Sequence, residues 1–147
     1  MNYTDALIEI LVSFCGTLGF GFLFNIRGRK LWYAAIGGLG TWALFLVLGL
    51  LMESEVLRYF IVSLCSTAYA EILARHLKTP ATTFCIITLI PLVPGGALYY
   101  TTTAALSGDT AQFMPRLINT IQLAVALSLG IVIVTAACKL FVKKNTR

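Results

Sequence analysis

The run Pro91-Leu92-Val93-Pro94-Gly95-Gly96 interrupts a long apolar stretch, Pro80 to Leu106, and is followed closely by Tyr99, Tyr100, Thr101, Thr102 and Thr103. Proline removes a backbone donor and clashes with the preceding turn, and glycine gives up helical stability. In lipid, backbone groups freed in this way must be satisfied by protein, water or a ligand. The chemistry such a break offers is anion binding. A helix restarting at Gly95 presents unpaired N–H groups and the positive end of its dipole. Discontinuous helices meeting near the midplane hold carboxylate substrates in many secondary transporters. A plain proline kink, common in membrane helices, is the other reading of the same residues.

Glu71 and Arg75 are the second candidate pair. Four apart, they share a helical face and can form an ion pair. A carboxylate inside a span is costly and, where retained, often serves an ion or proton path. The alternative is a snorkelling pair at the interface. Asp5 and Glu9 read as solvated groups near the outer boundary. Cys15, Cys65, Cys85 and Cys138 are scattered, with no Cys-x-x-Cys pair and no His at metal-ligand spacing, and read as small packing residues. His76, between Arg75 and Lys78, reads as an interfacial polar group. No nucleophile-elbow, zinc-protease or P-loop pattern occurs, so neither enzyme chemistry nor a cofactor or metal is expected.

The elements that must position these residues are membrane spans. Of 147 residues, 59% are hydrophobic and only 12% are charged, with a mean hydropathy of +0.88. A soluble domain of this size requires more charged surface. The fold class expected is an all-α polytopic membrane protein, since several apolar runs approach or exceed the roughly 20 residues of a span. About five transmembrane helices are placed at 6–24, 31–52, 56–74, 80–106 and 117–137, the fourth broken at Pro91–Gly96. Thr79 is expected to cap the fourth, with Pro80 at its first helical position. The connections are short, so residues 1–147 form one membrane domain without a soluble module.

Five crossings put Arg27, Arg29, Lys30, Arg75, Lys78, Lys139, Lys143, Lys144 and Arg147 on one side. Only Arg58 and Arg116 fall on the other. Nine basic residues against two place the N-terminus outside and the C-terminus in the cytoplasm. Four crossings with a re-entrant hairpin would put the basic tail opposite the other two clusters. The net charge of +5 is thereby accounted for by topology and by contact with anionic membrane lipids. No nucleic-acid partner is required. The first span, preceded by Asp5 and by no Lys or Arg, lacks the marks of a cleaved signal.

Small residues mark helix contacts. Gly16, Gly19 and Gly21 cluster in the first span, Ala34, Gly37, Gly38, Gly40 and Thr41 in the second, and Ala124, Ala126, Ser128 and Gly130 in the last. Such spacings let membrane helices approach closely. They serve packing within the chain, or one face meets a partner subunit or a second copy.

Three stretches resemble the small membrane half of the threonine/serine exporter family. They are Gly19 to Asn25 with Arg29 and Leu31; Ala34 to Gly38 with Trp42; and Ala74-Arg75, Pro80-Ala81, Pro91 to Gly95 and Tyr99. The resemblance covers about residues 7 to 135, and the Pro-Leu-Val-Pro-Gly…Tyr run is its most specific piece. It implies export of small hydrophilic metabolites, threonine and serine or a dicarboxylate such as succinate, across a bacterial inner membrane, driven by the proton gradient. It also implies a second membrane subunit, because members that export alone carry a second membrane half behind a soluble region. On this reading Pro91, Pro94, Gly95, Gly96 and Tyr99 belong to the path of a small-molecule substrate. Asn25 and Arg29 lie near its cytoplasmic entrance, and Arg29 and Arg75 attract a substrate carboxylate. Glu71 carries the proton. The rival readings are an assembly subunit that touches no substrate and a small channel formed by self-association.

Overall fold

A computed structural model describes residues 3–145, with side chains for residues 4–140. Arg147, counted in the basic tail, lies outside the described residues, as do the side chains of Lys143 and Lys144. Six α-helices follow one another: α1 (Tyr3–Leu23), α2 (Arg29–Leu51), α3 (Glu55–His76), α4 (Ala81–Leu89), α5 (Gly95–Leu106) and α6 (Thr110–Asn145). A 3-10 turn, Ile90–Leu92, extends α4. Among the described residues there is no strand.

Three of the helix ends are built alike. At the end of α1, Asn25 adopts φ 56°, Ile26 N–H donates to the Gly21 carbonyl at 2.9 Å and Asn25 N–H to Phe22 at 2.9 Å. This pair of bonds is a Schellman motif, which needs a left-handed residue just past the helix. Lys78 (φ 48°) closes α3 and Gly108 (φ 70°) closes α5, with the matching bonds from Thr79 to Ala74 and from Asp109 to Ala104. Glycine suits that conformation, asparagine tolerates it, and lysine takes it at a cost.

Four helices, α1, α2, α3 and α6, are each long and apolar enough to cross a membrane. A fifth crossing results if α4 with its 3-10 turn and α5, bent by 59° between the two arms, form one span. Each arm has twelve residues, about 18 Å, so the pair spans about 30 Å when the membrane normal bisects the bend. The expected start of this span is corrected in detail. Pro80 itself is the N-cap and α4 begins at Ala81, while the Thr79 hydroxyl donates backwards to Leu77 at 3.0 Å. The last span is longer than 117–137. Asp109 caps it, its Oδ1 accepting from Gln112 N–H at 3.1 Å, so helix starts at Thr110 and Pro115 is absorbed within it.

The helices pack in the order α1, α2, α3, α6, α5, with α4 laid across α2 and α3. A third of the apolar window of α2 and of α3 is buried, against 11% for α1, so α2 and α3 are the centre. Glycine makes the close approaches. A Cβ on Gly38 would run into the Thr17 side chain of α1, one on Gly37 into Tyr69 of α3 and Thr88 of α4, and one on Gly130 of α6 into Ser63 of α3. These are the intrachain half of the small-residue pattern. Gly16, Gly19 and Gly40 face open space.

Two apolar clusters occupy the two ends. One holds Ile26, Leu31, Ala74 and Phe84 with Leu77 and Ala81 packed on it, so the α1–α2 and α3–α4 connections share an end. Arg75 Nη2 donates to the Cys138 carbonyl at 3.1 Å, which brings the C-terminal part of α6 to the same end. The second cluster, with Phe45, Tyr59, Leu92 and Leu123, lies toward the other end.

Candidate functional site

The broken span opens beside a cavity. Ile90 and Pro91 form one wall, Glu9, Val12, Ser13 and Gly16 of α1 another, and Trp42 of α2 a third, bounding an open groove of about 330 Å³. Each element contributes the middle of its length, so the cavity lies near the midplane of the spans. Glu9 is four residues from the midpoint of α1, about 6 Å along its axis. The sequence reading placed Glu9 at a solvated boundary; its side chain is exposed, and its Oε2 accepts from the Trp42 indole N–H at 3.2 Å. The spacing Glu9, Ser13, Gly16 puts polar and small residues on one helical face, a signal present in the sequence. Space exists because Gly16 has no side chain and a Cβ there would meet nothing.

Two hydroxyls stand at this wall. Ser13 Oγ donates to the Gly38 carbonyl at 3.1 Å, tying α1 to α2, and Thr17 Oγ1 donates to the Ser13 carbonyl at 2.7 Å. Glycine at 38 is what lets both approach.

The residues singled out from the sequence are distributed unevenly around this cavity. Pro91 lines it. Pro94 is buried, whereas Gly95, Gly96 and Tyr99 are exposed on the side away from the packed helices. Helix α5 packs on α6, and no side chain caps its start. Its threonines spend their hydroxyl protons within the chain. Thr101 Oγ1 donates to the Ala97 carbonyl at 2.8 Å and lies 2.9 Å from Thr120 Oγ1 of α6. Thr102 and Thr103 donate to Leu98 and Tyr99 within their own helix. Tyr99 and Tyr100 pack edge to face with centroids 5.5 Å apart.

Asn25 and Arg29 lie at the end of the bundle. Asn25 terminates α1 and accepts from Arg27 Nε at 3.0 Å; Arg29 opens α2 and is exposed, about 20 Å along that helix from Trp42. Glu71 and Arg75 do pair, at 3.9 Å, with Glu71 mostly buried and Arg75 half exposed. They sit at the same end as Asn25, not at the cavity. Among the described residues no group of His, Cys, Asp and Glu is arranged to hold a metal ion.

The fold is that of a multi-pass helical membrane protein with one bent helix pair and an open, largely apolar groove beside the bend. The family described as Threonine/Serine exporter, ThrE, matches residues 9–137, and the chain belongs to that family. No curated protein and no solved structure matches it.

Proposed function

We propose that the chain is one subunit of a secondary active exporter that moves small hydrophilic metabolites, threonine or serine or a dicarboxylate such as succinate, out of the cytoplasm. The observation that carries this reading is the cavity beside Pro91: polar groups and a backbone break share one depth, near the middle of the spans. A solute crossing a bilayer needs polar partners at that depth, and a packed scaffold has no use for them. The threonine/serine exporter family gives the solute class.

A second membrane subunit completes the site. Gly95, Gly96, Tyr99 and Tyr100 are exposed on a half-helix whose packing within the chain is onto α6. Free N–H groups at the start of α5 require a polar partner in a membrane, and the second subunit or the solute supplies it. The nine-to-two distribution of basic residues supports a cytoplasmic side for the connection ends at Arg29 and Arg75, and the exporter family supports a bacterial inner membrane. From there the two guanidinium groups draw anionic solute toward the bundle, and Glu71, mostly buried, is the proton carrier on that side.

Efflux of radiolabelled threonine, serine and succinate from cells expressing both subunits tests the proposal. Gly16→Leu fills the cavity and Gly95→Leu covers the break, and a Cβ at either position meets nothing in this chain. Both variants are expected to insert normally and to lose at least about 90% of efflux, a barrier change of roughly 1.4 kcal/mol. Wild-type efflux in both, at wild-type membrane levels, would favour the assembly-subunit reading instead.

A further inference from the structure

The groove is largely apolar, and few polar side chains reach it. The Glu9 carboxylate oxygens accept hydrogen bonds. Ser13 has spent its proton on Gly38 at 3.1 Å, so its oxygen has only lone pairs left to offer, while Thr17, bonded to the Ser13 carbonyl at 2.7 Å, is fully buried. The one side-chain donor at the wall, the Trp42 indole N–H, is given to Glu9 at 3.2 Å. Pro91, which closes the cavity from the broken span, has no N–H. Among the described residues Glu9 has no cationic partner; the ion pair of this chain is Arg75 with Glu71 at the bundle end.

We propose that Glu9 is the specificity-determining residue of the cavity, receiving the ammonium end of a zwitterionic solute. The inference rests on the exporter reading and narrows it. A lone carboxylate near the midplane is costly without an opposite charge. An ammonium group brings that charge and three N–H donors in one compact head, which suits the acceptors that Glu9 and Ser13 present in an otherwise apolar groove. The indole of Trp42 adds an aromatic surface of the kind that attracts organic cations. The other lining residues, including Ile8, Val12 and Ile90, are apolar and would strip water from a hydrated metal ion without replacing it. A dicarboxylate would bring negative charge and lone pairs to a wall with no free donor, so this cavity selects against it.

The test is efflux from cells expressing both subunits, comparing labelled serine with glycerate, which carries a hydroxyl where serine has its ammonium, and with succinate. The wild type is expected to prefer serine over glycerate by at least about tenfold, the size of one charge-assisted hydrogen bond. Glu9→Gln, equal in shape and uncharged, should lose most of that preference through a higher half-saturating serine concentration, and Glu9→Asp should restore part of it. Should Glu9→Gln fail to accumulate, Trp42→Phe removes the indole N–H that holds the carboxylate together with part of the aromatic surface, and should raise the half-saturating serine concentration several-fold. An unchanged serine-to-glycerate preference in the variants overturns the inference. So does a wild type that moves succinate in preference to serine, or a Glu9→Gln variant whose only change is a lost sodium dependence; each of these spares the exporter reading. A wild type that moves none of the three solutes removes the exporter reading, and this inference falls with it.

Discussion

Asn25 shows how one residue can invite two explanations that mutagenesis separates. Its φ of 56° and the bonds around it make it the terminator of α1, a role glycine fills equally well. Asn25→Gly should therefore keep both stability and export, while Asn25→Val should cost about 1–2 kcal/mol in a detergent melt. Loss of export in a well-folded Asn25→Gly variant would return the side chain to the substrate path. The glycines divide by the same reasoning. Gly130→Ala drives a methyl into Ser63 and to 3.1 Å from the Leu64 nitrogen, a clash worth about 1–3 kcal/mol on thermal unfolding. Gly40→Ala meets nothing and should leave stability unchanged or raise it by up to about 1 kcal/mol. The sequence marks both glycines as small residues in apolar helices and cannot say which face each occupies, because that depends on how α2 and α6 rotate against their neighbours. Glu9 is exposed, as its sequence reading had it; its bond to Trp42 was not legible, because that depends on how α1 and α2 rotate against each other.

At the scale of the element, the broken span is the part most plainly written in the residues. Pro91 and Pro94 lack the N–H groups an uninterrupted helix would need, and α5 begins at Gly95, where the restart was expected. What the residues do not state is the use made of the hydroxyls beyond it. Threonines at helical spacing return their protons to the carbonyl four residues back, as Thr101, Thr102 and Thr103 do, and a threonine-rich stretch then offers less polarity than its composition implies. The 59° bend is what swings α5 onto α6 and leaves Pro91 facing α1. Replacing both prolines by alanine should restore a continuous helix, close that opening and lower efflux at least about tenfold, with membrane insertion intact. Efflux at the wild-type rate in a double variant shown to be straightened would mean that the bend is not needed for transport.

At the scale of the molecule, five crossings and four crossings differ in where the α5–α6 connection emerges. Single cysteines at Gly28 and Ser107, in a chain stripped of its own four, should be labelled by an impermeant maleimide from opposite sides, Gly28→Cys only after the cytoplasmic face is opened. Labelling of both from one side would restore the hairpin topology. The long apolar helices were legible because length and composition set them. The cavity was not, since it arises between three helices that no sequence window spans together. The account stands on that cavity being a wetted, solute-binding space, and its most direct measurement uses Gly16→Cys in the same cysteine-free background, with the second subunit present. The thiol should react with a small water-soluble methanethiosulfonate, and serine at saturating concentration should slow the reaction at least about fivefold, a protection of roughly 1 kcal/mol. Reaction with lipid-soluble reagents alone, or a rate indifferent to serine, threonine and succinate alike, would contradict it.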